Sequence, residues 1–203
     1  MGNQILIDRD AFSHSQIASK LWLCEELERL KLGKLHAYVY GGWIGLLPFL
    51  MLSRGKLDID RINSFDIDPE AVINSRLINQ HWVVTGQYQS YEYDCNKLMW
   101  AKDWPAIEFN TNIKVNLIIN TSVEHFVVGV REQDNWFNNI PDDTYVILQS
   151  NNFDHDGDPN VSIVHSVEEL GRQFPLTHIF YSGTKSFIYP DKAFDRYMII
   201  GMK

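Results

Sequence analysis

The stretch Tyr38-Val39-Tyr40-Gly41-Gly42-Trp43-Ile44-Gly45-Leu46-Leu47-Pro48-Phe49 carries an apolar run into three glycines and out into a helix-like pattern. A continuous apolar run before glycines is the signature of a strand covered on both faces that ends in a tight turn. At a strand-to-helix turn, glycines let backbone N–H groups approach a ligand, and an acid ending the next strand can accept hydrogen bonds from ribose hydroxyls. That acid is present in Ser64-Phe65-Asp66-Ile67-Asp68-Pro69-Glu70. Together the two segments read as the entrance to a nucleotide-type cofactor site.

Outward from this turn the chain alternates between strand and helix signals. Ser13 or Ser15 caps a helix running to about Leu32, with Ile17, Leu21, Leu23, Leu27 and Leu30 on its apolar face and Gly33 as its stop. This helix stands before the first strand, Leu35 to Tyr40, which is followed by a short helix from Gly45 to Leu52. Ile62 to Ile67 reads as strand two. Pro69, at a first helical position, starts a helix through about Gln80.

His81 to Thr85 is expected as strand three, and Tyr88 to Ile107 has no clear pattern. Val115 to Ile119 is strand four, Val123 to Asn139 is partly helical, Thr144 to Gln149 is strand five, and Val167 to Gln173 is a short helix. His178 to Tyr181 and Arg196 to Ile200 are the last strands. Their connection of about fourteen residues has no clear helix, which favours an antiparallel pair. The expected fold is α/β: a three-layer α/β/α sandwich around a mostly parallel, seven-stranded, Rossmann-like sheet with an antiparallel last strand.

With 203 residues and no Pro/Gly/Ser linker or repeat, the chain reads as one domain, residues 34–203 forming the core and 1–33 a helical addition. Two distant cysteines, Cys24 and Cys95, argue against a zinc site and a disulfide framework. No apolar run is long enough to span a bilayer, and the first ten residues lack a signal-peptide layout, so a soluble cytoplasmic protein is expected. A net charge of −8 disfavours a broad nucleic-acid surface, because phosphate neutralisation needs clustered Lys and Arg. The densest basic stretch, Arg29 to Lys34, follows Glu25, Glu26 and Glu28 and reads as a solvated helix end.

The arrangement after Gly33 resembles the class I S-adenosylmethionine-dependent methyltransferases. The segment from Val39 to Leu47 is similar to the family's first motif, with Gly41 and Gly45 in its outer glycine positions, Trp43 in its middle one and Tyr40 where an acid is common. The resemblance implies S-adenosyl-L-methionine as cofactor, held by Tyr40, Gly41, Gly42, Trp43 and Gly45, with Asp66 on the ribose and Ile67 against adenine. Tyr93-Asp94-Cys95 resembles the segment that meets the adenine amino group and ring, which brings in Asp94 and Cys95. The end of strand four, Asn120-Thr121-Ser122-Val123-Glu124-His125-Phe126, stands where the family places residues nearest the transferred methyl. It shares only its leading Asn with the amino-methyltransferase site, whose two prolines and aromatic are missing.

By this reading Asn120 orients the acceptor, and touches the cofactor, while Glu124 or His125 serves as base. The acceptor is expected to be a small molecule or a protein side chain, with nucleic acid less favoured. Two other readings of the same sheet are a nicotinamide-dinucleotide site, whose GxGxxG spacing is lacking, and a catalytically silent binding module, to which Trp43 and Tyr40 point.

Several other residues have plainer expectations. The amides of Gln149-Ser150-Asn151-Asn152 suit one wall of an acceptor pocket, or a polar loop. Asp154-His155-Asp156-Gly157-Asp158 lacks the glutamate of a calcium loop and reads as solvated turn. Gln16 and Lys20, one helical turn apart before the glycine motif, suit a position over the cofactor's carboxylate or the acceptor, though a solvated face explains them more cheaply. Trp22, Trp82, Trp100, Trp104 and Trp136 read as packing residues.

Overall fold

The computed structural model describes residues 9–97, 114–126, 136–154 and 162–203. Helix α1 (His14–Leu30) starts after Ser13 and ends at Lys31, whose backbone is left-handed. Strand β1 (Leu35–Tyr40) is buried along its whole length. It leads through the glycine turn into α2 (Leu46–Arg54) and β2 (Ile59–Asp66). Helix α3 (Pro69–Ile78) begins at Asp68, whose carboxylate accepts from the backbone N–H of Glu70 at 2.9 Å, and Pro69 opens it as the sequence implies.

The expected strand at His81–Thr85 is instead α4 (Gln80–Thr85), closed by Gly86 in the left-handed conformation. Its β-branched Val83 and Val84 suggest a strand, but Trp82 and Val83 pack on the core while Val84 faces solvent, a helical division. Strand β3 is the next segment, Tyr88–Glu92. It is followed by β4 (Leu117–Asn120), β5 (Tyr145–Asn151), α5 (Val167–Gln173), β6 (His178–Ile188) and β7 (Ala193–Met202).

The seven strands form one sheet in the order β3-β2-β1-β4-β5-β7-β6. The pairs from β3 through β5 are parallel; β7 runs antiparallel to both β5 and β6. The last two strands are longer than expected, and Tyr189–Lys192 alone joins them as a hairpin. The order reverses direction at β1 and β4, so a crevice opens above their carboxyl ends, where open α/β sheets bind ligands.

Alternation along the strands builds a core on each face. Ala37, Val39, Leu117, Ile119, Ile147 and Ile200 meet Leu23 and Leu27 of α1 and Leu47 and Met51 of α2. Tyr38, Tyr40, Ile118, Val146, Leu148 and Ile199 meet Trp136, Phe137, Leu170 and Phe174 on the other. Helices on both faces complete the expected three layers. Trp22 and Trp136 are core residues and Trp82 is partly buried, while Trp100 and Trp104 lie outside the described residues. So do residues 127–135 of the expected helical segment and 155–158 of the acidic loop. Among the described residues no helix is long and apolar enough to cross a membrane.

Candidate active site

Parallel pairing fixes which residues share the crevice. Tyr40 is level with Phe65 and Asn120, and Asn120 is level with Leu148. Because β7 is antiparallel, its early residue Arg196 lies beside Asn151 at the carboxyl end of β5. Above these ends is a cavity of about 390 Å³ lined by residues from the glycine turn, the ends of β2 and β3, the β4 turn, α1 and β7.

Asp66 organises one end of that cavity. One carboxylate oxygen accepts from the N–H of Trp43 at 2.7 Å, and the other from Asp68 at 3.1 Å. The turn itself is tight: Gly41 has φ 64°, Trp43 φ 47° and Gly45 φ 76°. A left-handed backbone is unusual for a residue as bulky as tryptophan and is tolerated where surrounding bonds hold it. Here the Asp66 carboxylate does so. Gly42 has an ordinary φ, but a Cβ on it would fall on Ser64 Oγ of β2, so close packing of the turn on the sheet demands glycine there.

Ile67 follows Asp66, 70% exposed, and gives the cavity an apolar face. Asp94, Cys95 and Asn96 supply the wall after β3. Burial, and then the charges of Asp66 and Asp94, push the Cys95 thiol well above its ordinary range, so it is a neutral wall residue.

At the opposite end stands a buried charge cluster. Glu124, 2% exposed, accepts from Asn151 Nδ2 at 2.6 Å through Oε1, while Oε2 lines up with no partner among the described residues. Arg196, 5% exposed, donates from Nη1 to the Thr121 carbonyl at 3.1 Å, and its Nε has no partner there. Burial lowers its pKa; the charges of Glu124 and Asp10 oppose that shift. Lys20 donates to Gln16 Oε1 at 2.5 Å. Burial first, then Arg196, bring Lys20 down to about 7, with Glu124 and Asp10 acting the other way.

Gln16 and Lys20 are therefore not a solvated face. Gln16 lines the cavity, and both line a small adjoining crevice with Gly41, Gly42, Trp43 and Thr121. Glu26 is also buried, paired with Arg29 at 2.6 Å, rather than part of a solvated helix end.

Of the residues singled out in the sequence, Gly41, Trp43, Asp66, Ile67, Asp94, Cys95, Glu124 and His125 line the cavity. Tyr40, Gly42, Gly45 and Asn120 do not, Gly42 lining only the small adjoining crevice. Tyr40 points into the aromatic core against Phe65 and Trp136, where burial raises its phenol far above the usual pKa. Gly45 caps α2, its carbonyl accepting from Asn79. Asn120 is fully buried, and its Oδ1 accepts from the N–H of Ser122 at 3.0 Å, which shapes the turn that delivers Glu124. Asn151 joins the wall, as the polar end of β5 suggested; Gln149 does not, being tied to the Ser19 carbonyl inside the core.

Arg196 and Asp10 stand in no recognisable motif. The available signal for Arg196 was its position opening an apolar strand, which an antiparallel partner of β5 would bring to the crevice.

Among solved structures, the chain superposes on the N-methyltransferase NodS from Bradyrhizobium japonicum in complex with S-adenosyl-L-homocysteine. The TM-score is 0.64 at 11% identity, covering 97% of this chain and 94% of that one. The fold is the class I methyltransferase fold. Two further structures with this fold match: magnesium protoporphyrin IX methyltransferase from Synechocystis with bound S-adenosylhomocysteine (TM-score 0.56, 12% identity, 92% of this chain and 82% of that one), and geranyl diphosphate methyltransferase in complex with S-adenosylmethionine (0.59, 10%, 92% and 85%). No protein-family model and no curated protein sequence matches the chain. The turn after β1 and the acid ending β2 stand together at the switch point, joined by the Trp43–Asp66 hydrogen bond.

Proposed function

We propose that the chain is an S-adenosylmethionine-dependent methyltransferase acting on a small molecule or protein side chain. The observation that carries this reading is Asp66, its carboxylate anchored to the glycine turn yet lining the cavity beside the exposed apolar Ile67. Each carboxylate oxygen has a second lone pair for a ribose hydroxyl, and Ile67 offers a flat apolar contact for a base. When bound, S-adenosylmethionine supplies an already activated methyl group.

The protein's part is then alignment and proton removal. Gly41, Trp43, Asp66, Ile67, Asp94 and Cys95 would hold the cofactor; Gly42 and Gly45 shape the turn, and Tyr40 packs in the aromatic core at the end of β1. Asn120 fixes the turn after β4. Glu124 lines the cavity, and its Oε2, without a partner among the described residues, keeps a lone pair for the acceptor's proton while Asn151 holds the other oxygen. His125, at the cavity's exposed edge, is the second candidate base.

Calorimetric titration with S-adenosylhomocysteine tests the assignment. Binding to the native chain that is lost in Asp66→Ala supports it; no binding, or binding indifferent to that change, overturns it.

A further inference from the structure

A second cavity of about 310 Å³ adjoins the first and shares Asp10, Gln16, Asn151 and Arg196 with it. Its remaining wall is aromatic and basic. Phe153 meets Phe194 edge to face with ring centroids 5.5 Å apart, and Phe194 stacks on Phe187 at 5.3 Å and Tyr189 at 6.4 Å. These rings come from the end of β5 and from the β6–β7 hairpin, so the sheet holds them in place. Lys192 Nζ lies 4.9 Å from the centre of the Phe153 ring.

We propose that this second cavity is the acceptor site and that its ligand is a small planar ring bearing a carboxylate. The volume suits a molecule of one or two rings and is at the low end of the roughly 300–1,000 Å³ typical of small-molecule sites. A flat ligand finds offset or edge contacts on Phe153 and Phe194. Its charge follows from two cations of the lining: Arg196 already faces Glu124 and Asp10, while Lys192 stands exposed at the outer wall with its Nζ over the rings of Phe153 and Tyr189. The buried Arg196 Nε lacks an acceptor among the described residues, and a carboxylate supplies one by a charge-assisted hydrogen bond. The shared Asn151 and Arg196 then place the bound ring acid at the junction of the two cavities.

The word acceptor rests on the methyltransferase reading; the ligand chemistry does not. Titration calorimetry on the full chain, with and without S-adenosylhomocysteine, would compare 4-hydroxybenzoate, its neutral analogue 4-hydroxybenzamide and the non-planar cyclohexanecarboxylate. The expected result is that 4-hydroxybenzoate binds about tenfold or more tighter than either analogue, from the loss of a charge-assisted bond or of ring contact. Replacing the exposed Lys192 in Lys192→Ala weakens only the two carboxylates. Equal affinity for benzoate and benzamide, indifference to Lys192→Ala, or no binding of any of the three while S-adenosylhomocysteine binds overturns the proposal. Ring-acid binding in a chain that does not bind S-adenosylhomocysteine supports the ring-acid site and removes the methyl-transfer reading.

Discussion

The N–H of Trp43 donates to the carboxylate of Asp66 at 2.7 Å, joining the turn after β1 to the end of β2. One side chain thus holds a strained backbone and faces the cavity. Asp66→Ala should cost about 1–3 kcal/mol of stability from two lost backbone bonds and abolish S-adenosylhomocysteine binding. Asp66→Asn should keep part of the stability, because its amide oxygen still accepts from Trp43 while its NH2 cannot accept from Asp68, and it should still weaken binding. Urea melts and calorimetry on the same samples separate the two effects; parallel losses in both variants would mean that Asp66 serves the turn alone.

Gly42→Ala should destabilise the chain by about 1–3 kcal/mol, the usual range for overpacking. The added methyl meets Ser64 Oγ, and once that oxygen is gone the nearest atom is Ser64 Cβ at 3.1 Å. Ser64→Ala should therefore restore much of the loss in the double variant. A double-mutant cycle measured in urea checks this, and additive effects would rule out the contact as the cause.

Lys20 sets a pH dependence of stability. Its folded pKa, about 7, lies below the ordinary lysine value of 10.5, so between these values the unfolded chain holds a proton that the folded chain has released. Stability from this residue is fully present above about pH 10.5 and falls as pH drops towards 7, by on the order of a few kcal/mol. Thermal melts between pH 7 and 10 should show the native chain gaining stability with pH relative to Lys20→Met. Parallel curves would refute the assignment.

Glu124→Gln removes the proton acceptor while retaining an oxygen for Asn151 Nδ2. Methyl transfer from labelled cofactor into small molecules or proteins of a cell extract should fall by about 10²–10⁴-fold, the span of general-base contributions. S-adenosylhomocysteine affinity should hold within a factor of about two, since the carboxylate stands at the other end of the cavity. Activity unchanged in this variant but lost in His125→Ala would transfer the role to His125.

The fold was legible where burial dictated the letters. Strand β1 matches its expected bounds because both faces are covered, and Pro69 with Asp68 marks the start of α3. Strand β3 was missed because it is a sheet edge, paired only with β2, and its letters Tyr-Gln-Ser-Tyr-Glu need no apolar run. At the site, local motifs conveyed Asp66 and the glycine turn. The Glu124, Arg196 and Lys20 cluster depends on β5–β7 register and on where α1 lies, and no short stretch of sequence encodes either.

Strand β7 lies between β5 and β6, so β6, at the edge of the sheet, is joined to the rest only through it. During synthesis the first five strands emerge while the outer edge of β5 still has unpaired backbone groups. The β6–β7 hairpin closes that edge and in the same event brings Arg196 beside Asn151. Completion of the sheet and completion of the charge cluster are thus one folding step, so a nascent chain has no finished site until that hairpin has docked.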